Sequence, residues 1–120
     1  MSITTAEFSQ AVQKAAANLF PHHLLQLTII RATRLKARIH LGPDQFVDIF
    51  FREETQRVDF ALIVAGQRVF GLDNLSGWHE HPVHDPSQHI PCPEPTPEEA
   101  LRRLREAADS LSSFAKEDDE

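Results

Sequence analysis

The first twenty residues carry apolar side chains at helical spacing. Five positions recur every three or four residues and therefore share one face of a helix. They are Phe8, Val12, Ala15, Ala16 and Leu19. Just before them, Thr4 and Glu7 have the spacing of a capping box, in which each side chain bonds the other residue's backbone. The pattern predicts an amphipathic helix over residues 5–19, stopped by Pro21.

From about residue 24 to residue 72 the period of the pattern changes to two, which indicates strands. The segment 24–41 alternates after residue 34, and its phase slips at Arg31, where a bulge or a change of strand fits. The later apolar faces are Val47, Ile49 and Phe51, then Val58, Phe60, Leu62 and Val64, followed by the run Arg68-Val69-Phe70. The centre of the chain is therefore predicted to be an antiparallel meander of about four strands.

Two loops set the expected register of this meander. Residues 42–45 are turn-forming types. A three-residue loop from Pro43 to Gln45 keeps both apolar faces together and places His40 opposite Asp48. Further along, Gly66-Gln67 suits a two-residue hairpin with glycine at its first central position.

Regular alternation stops after Leu72. Residues 73–97 contain six of the chain's eight prolines, which predicts an extended connector without ladder pairing. A second helix then begins at Pro97, because Thr96 and Glu99 form another capping box around a proline at the first helical position. Residues 116–120 form a charged end, predicted to be a disordered acidic tail. We therefore predict an α+β fold, with residues 1–115 as one domain and a helix at each end of the meander.

Composition narrows the setting in which this domain works. The chain has one cysteine, which excludes an internal disulfide, and it shows neither a signal peptide nor an apolar run long enough to span a membrane. We therefore expect a cytoplasmic protein that is not bound to a membrane. A net charge of −6 argues against nucleic-acid binding by the whole surface.

A local basic stripe nevertheless suits a phosphate backbone. Arg34, Lys36 and Arg38 alternate along one strand face, about 6.6 Å apart, which is close to a nucleic-acid repeat. Arg68 could add a fourth cation for anion contact. The alternative is that these side chains form the solvated face of an ordinary strand.

The connector concentrates the residues that could carry chemistry. The candidate catalytic residues are His79, His81, His84 and His89, together with Asp73 and Asn74 at the end of the last strand. A histidine oriented by a carboxylate can move protons at neutral pH, as cleavage of an RNA phosphodiester requires. The spacing of these histidines matches no established zinc signature. We therefore predict no metal ligand and no cofactor, although a metal-stabilised loop and a merely polar loop are alternatives. Trp78 is interpreted as an apolar anchor for the connector.

At this point the chain resembles the TumE-like family of small prokaryotic proteins. The resemblance rests on the segment from Arg68 to Asn74, on the histidine-rich connector, and on the Pro-Glu-Glu that opens the last helix. Asp73-Asn74 corresponds to the family's Asp-Asn. His79 and His81 correspond to its paired histidines, although Glu80 separates them here. His89 corresponds to a second histidine cluster, and Leu72 replaces the aromatic residue usual before Asp-Asn.

The resemblance implies the toxin half of a type II toxin–antitoxin pair. We therefore expect a protein that acts on RNA or on the translation machinery through its histidine-rich loop and is neutralised by an antitoxin. Whether it is an enzyme is left open. The alternative is a noncatalytic module that binds a protein, or its own copies as a homo-oligomer, through an open edge or face of the meander.

Overall fold

The computed structural model describes residues 2–118, with side chains described as far as Leu111. The elements run in the order α1 Thr5–Leu19, β1 Leu25–Ile30, β2 Arg34–Gly42, β3 Gln45–Arg52, β4 Arg57–Val64, β5 Gln67–Asp73, β6 His79–His81, β7 Ile90–Pro91 and α2 Pro97–Asp118. Residues 119 and 120, at the end of the predicted tail, lie outside the described part. No described helix is long and apolar enough to cross a membrane.

The α+β class is confirmed. All strands form one antiparallel sheet in sequence order, β1 to β7, and both helices pack against the same face and against each other. Between helices and sheet lies one apolar core, in which the ring of Phe8 stacks on that of Phe51 at 4.5 Å between centroids. The predicted capping box of Thr4 with Glu7 is complete. At the second helix only half of the box forms: the Thr96 hydroxyl accepts from the backbone N–H of Glu99, but it also donates to the Glu99 carboxylate, which therefore does not bond the Thr96 backbone.

The strand count of about four is too low, for two local reasons. The segment read as one run from residue 24 divides into β1 and β2 at a tight turn, where Arg31 and Ala32 adopt left-handed backbone (φ of 51° and 64°). The connector also pairs, against expectation. β6 extends the sheet from β5, and β7 extends it from β6. These strands are too short to show alternation in the sequence.

The register between β2 and β3 also differs from the prediction. A shift between His40 and Gly42 places His40 opposite Phe46, and Arg38 opposite Asp48. In the β4–β5 hairpin the two left-handed residues are Ala65 and Gly66, not Gly66 and Gln67, because the turn centres one residue earlier. Both changes alter which charges meet on the outer face of the sheet.

The face of the sheet away from the helices is called here the open face. Six of the chain's twelve Lys and Arg residues occupy it, against three carboxylates. The cations are Arg34, Lys36, Arg38, Arg52, Arg57 and Arg68, and the carboxylates are Asp48, Asp59 and Asp73. The open face therefore has an excess of three positive charges in a chain whose net charge is −6.

Candidate functional site

A groove of about 740 Å³ runs across the open face. The side chains at its centre are small, because Ala61 lies opposite Gly71 there. The side chain of Arg68 lies across Gly71, so a Cβ at that glycine would come within 3.1 Å of the arginine Cδ. The lining also includes Lys36, Phe50 and Asp59. The groove therefore combines an apolar floor with charged walls.

Lys36 and Arg38 of the predicted basic stripe line this groove, whereas Arg34 lies beside it on the same strand face. Arg34 and Lys36 are exposed, whereas Arg38 makes a bidentate pair with Asp48, at 2.7 and 3.0 Å. The hydrogen bond that Arg38 donates to Asp48 raises the pKa of Arg38, and the guanidinium lies 4.2 Å from the centroid of the Phe46 ring. Much of the Arg38 charge is thus balanced within the protein, and Lys36 faces the groove as the more available cation.

Asp73 and His81 form a buried pair at the end of β5. His81 is 1% exposed, and its Nε2 lies 2.8 Å from Asp73 Oδ2. Burial raises the pKa of Asp73. The hydrogen bonds from the backbone N–H of Leu75 and from His81, together with nearby positive charge, lower this pKa by more than burial raises it, so the net shift is downward. The other ring nitrogen of His81 lies 3.1 Å from the carbonyl oxygen of Pro86.

Both ring nitrogens of His81 face hydrogen-bond acceptors inside the protein, namely the Asp73 carboxylate and the Pro86 carbonyl oxygen. A ring that is 1% exposed and engaged on both sides offers no nitrogen to a substrate. The pair therefore holds the connector against β5, and His81 is positioned as a supporting residue.

Asn74 also joins backbone segments. Its Oδ1 accepts from the backbone N–H of Val58 at 2.9 Å, and its Nδ2 donates to the carbonyl of Gln56 at 2.8 Å. Both ends of the side-chain amide are thereby used at the start of β4. The Asp73-Asn74 dipeptide thus fastens the last long strand to β4 on one side and to the connector on the other.

His79 and His89 are the histidines placed to meet a ligand. Nδ1 of His79 donates to the carbonyl of Gly77 at 2.7 Å, which leaves Nε2 of the neutral ring as an acceptor. The exposed ring of His89 lies edge-on to His81 and His79, with centroids 4.5 and 5.9 Å away. These two rings form an accessible pair above the buried His81.

The remaining connector residues take other roles. His84 is exposed, and among the described side chains it makes no ring contact with the other histidines. Trp78 packs on the core and donates to Glu94 at 3.2 Å, in agreement with its role as an anchor. Glu80 forms an ion pair with Arg103 of α2. Within the described residues, no three His, Cys, Asp or Glu side chains are placed to hold a metal ion.

Arg68 and Asp59 join the groove to the histidine cluster. Both line the groove, and Nη1 of Arg68 lies 3.9 Å from Asp73 Oδ2. Asp59 lies directly opposite Asp73 in the sheet. Burial, followed by the charge of Asp73, raises the pKa of Asp59. The predicted anion residues and the predicted histidines therefore belong to one continuous surface.

Sequence reasoning did not select Arg52, Arg57 or Asp59. Arg52 shares the parity of Phe46 and Phe50 on β3, so correct strand pairing would have placed it on the open face. Arg57 and Asp59 follow from pairing with β3 in the same way. These three residues can be identified only from the register of the strands, because no sequence motif marks them.

Comparisons with protein-family models, with curated protein sequences and with solved structures find no match to this chain. Function is therefore inferred from the side chains of the open face and the connector.

Proposed function

We propose that this protein is a small cytoplasmic toxin of the TumE type that binds RNA on the open face and is neutralised by an antitoxin partner. One observation carries the proposal. A surface with six cations leads through Arg68 to the accessible pair His79 and His89. Cations that track a phosphate backbone give affinity for RNA, and Phe50 beside the groove offers a ring on which a base can stack.

The histidine pair has the groups that phosphodiester cleavage needs. Nε2 of His79 accepts the proton of a ribose 2′-hydroxyl, whose oxygen then attacks the adjacent phosphorus. His89, when protonated, gives a proton to the leaving 5′-oxygen. The products are a 2′,3′-cyclic phosphate and a 5′-hydroxyl end, and Arg68 stabilises the charge on the phosphoryl oxygens.

Inducible expression in a bacterial host tests this function. We expect the wild-type protein to arrest growth. His79→Ala combined with His89→Ala should restore growth, because both proposed catalytic rings are removed. The variant should still fold, since the buried Asp73–His81 pair that holds the connector is left intact. His84→Ala is the matched control and should remain toxic, since that exposed histidine lies outside the cluster. Co-expression of the antitoxin, sought in the neighbouring reading frame, should also restore growth. Unimpaired growth with the wild-type protein would reject the proposal.

A second candidate is a noncatalytic, self-associating module, favoured by the edge strand β1. This strand has six residues without charge or proline, and Leu24, Ile29 and Ile30 near its outer edge are 61, 45 and 36% exposed. Natural edge strands usually carry charges or prolines that prevent pairing. The opposite edge, β7, has only two residues, one of which is Pro91.

Light scattering after size exclusion separates this candidate from the first. Self-association through β1 predicts a dimer that Ile29→Lys converts to a monomer, because the new charge would have to be buried beside a second edge. The dimer should persist when His79 and His89 are replaced by alanine. A wild-type protein that stays monomeric at about 100 µM, well above the micromolar Kd of many weak interfaces, would remove self-association.

A further inference from the structure

Three arginines lie side by side at one end of the open face. Arg34 at the start of β2 is directly opposite Arg52 at the end of β3, and Arg52 is directly opposite Arg57 at the start of β4. Neighbouring strands are about 4.8 Å apart, so the three guanidinium stems rise from a short row. This arginine row crosses three strands beside the groove.

Such a row is unfavourable without a negatively charged ligand. Like charges directly opposite each other destabilise a sheet. The nearest carboxylates within the protein only partly offset this, with Glu54 at 3.7 Å from Arg52 and Asp59 at 3.5 Å from Arg57. By contrast, Arg38 and Asp48 on the same face approach to 2.7 Å in a bidentate pair.

The hydrogen-bonding groups of the row are also incompletely used. Within the described residues, Nε of Arg52 and Nε of Arg57 are both buried without a hydrogen-bond partner. A guanidinium presents its N–H groups as a planar fork that matches phosphate oxygens. Repulsion between the cations therefore points to an anionic ligand, and the planar fork of the guanidinium suits a phosphoryl group.

We propose that Arg34, Arg52 and Arg57 form a binding site for phosphoryl groups. The class of ligand follows from the row itself, whereas RNA as the source of the phosphate rests on the proposed function. If the ligand is RNA, the arginine row lets the RNA strand continue past the groove to the end of the sheet where β2 and β4 begin. The other source with the same chemistry is a free phosphate compound, for which inorganic pyrophosphate serves as the probe.

Thermal unfolding with and without pyrophosphate tests the site itself. We expect 10 mM pyrophosphate to raise the wild-type melting temperature by about 3–5 °C above an ionic-strength control in NaCl, as ligand binding to the folded state does. Arg52→Gln should abolish this shift and should raise the melting temperature of the unliganded protein, because it relieves the repulsion. Arg52→Lys, which keeps the charge, should retain part of the response, and Arg102→Gln on α2 should retain all of it.

The unliganded stability distinguishes this site from a structural role for the row. If Arg52 served only to pair with Glu54, Arg52→Gln would lower the melting temperature. A wild-type protein without a pyrophosphate shift, or an Arg52→Gln variant that keeps it, overturns the proposal. Arg57→Gln gives the same readout if Arg52→Gln does not fold.

RNA binding then identifies the source of the phosphate. If RNA occupies the row, Arg52→Gln should reduce the slope of log K against log salt by about 0.7, the value for one phosphate contact with a single strand. A pyrophosphate response without any RNA binding would support the site and reject the proposed function. RNA binding with an unchanged slope, beside a lost pyrophosphate response, would assign the site to a free phosphate compound.

Discussion

Replacement of His81 by alanine is expected to destabilise the protein by about 3–5 kcal/mol, because it empties a buried site and leaves a buried carboxylate without a hydrogen-bond partner. The ring is 1% exposed, and its two nitrogens lie 2.8 Å from Asp73 Oδ2 and 3.1 Å from the carbonyl oxygen of Pro86. Its removal leaves a buried carboxylate without one of its hydrogen-bond partners and releases the connector from β5. Urea unfolding followed by circular dichroism measures the change, which should also appear as a lower melting temperature.

His84→Ala is the matched control, since this exposed histidine should change stability by less than about 0.5 kcal/mol. A double-mutant cycle with Asp73→Ala isolates the pair, and we expect a coupling of more than about 1 kcal/mol between the two positions. If His81→Ala is as stable as His84→Ala, the buried pair does not hold the connector.

Acid should reduce this difference between the wild type and His81→Ala. The pKa of Asp73 is lowered in the folded protein, so its ionised form stabilises the fold at pH values above the unfolded-state pKa of about 3.9. That stability is lost as the pH falls through the lower folded-state pKa, because the carboxylate then takes up a proton. The contribution of Asp73 to the difference between the two proteins should therefore be fully present above about pH 4 and should shrink below it.

Both helices could be predicted from the sequence because their signals are local. Thr4 with Glu7, and Thr96 with Pro97, fix where each helix begins, and a capping box needs only the residues within one turn. The alternating faces of β2 to β4 were equally clear. The turn at Arg31 and Ala32 was not, because left-handed backbone at a non-glycine residue leaves little trace in a sequence.

The sequence indicates which residues of the connector are candidates but not how they are arranged. The sequence treats four histidines alike, whereas burial makes His81 a support, exposes His84 and leaves His79 and His89 accessible. That division depends on β6 pairing with β5, a contact between segments without alternation. The arginine row escaped prediction for a related reason, because opposition across strands depends on register, and a shift of one residue changes every pair.

Charge reversal at the groove is expected to have the largest effect on function. Lys36→Glu combined with Arg68→Glu should weaken RNA binding by about 100-fold. Two side chains that attract the RNA phosphates would then repel them, and phosphate contacts dominate the affinity. Both side chains are exposed, but Arg68 lies 3.9 Å from Asp73, so circular dichroism should show that the double variant is folded before affinities are compared. The same variant should no longer arrest growth.

Lys14→Glu combined with Arg102→Glu is the matched control. These exposed helix residues lie on the other side of the protein. Each pair of reversals makes the net charge more negative by four, from −6 to −10. Any difference between the two variants therefore reports where the charge lies and not how much charge the protein carries. Equal loss of binding in both would mean that only overall charge matters.

The most direct test of the open face as an RNA-binding surface is an anisotropy titration of a fluorescent oligoribonucleotide at several salt concentrations. The wild-type protein and the helix control should bind with similar affinity and with a steep salt dependence, whereas Lys36→Glu with Arg68→Glu should bind about 100-fold more weakly. Absence of binding by the wild-type protein, or equal binding by all three proteins, would contradict a role for the open face in RNA recognition.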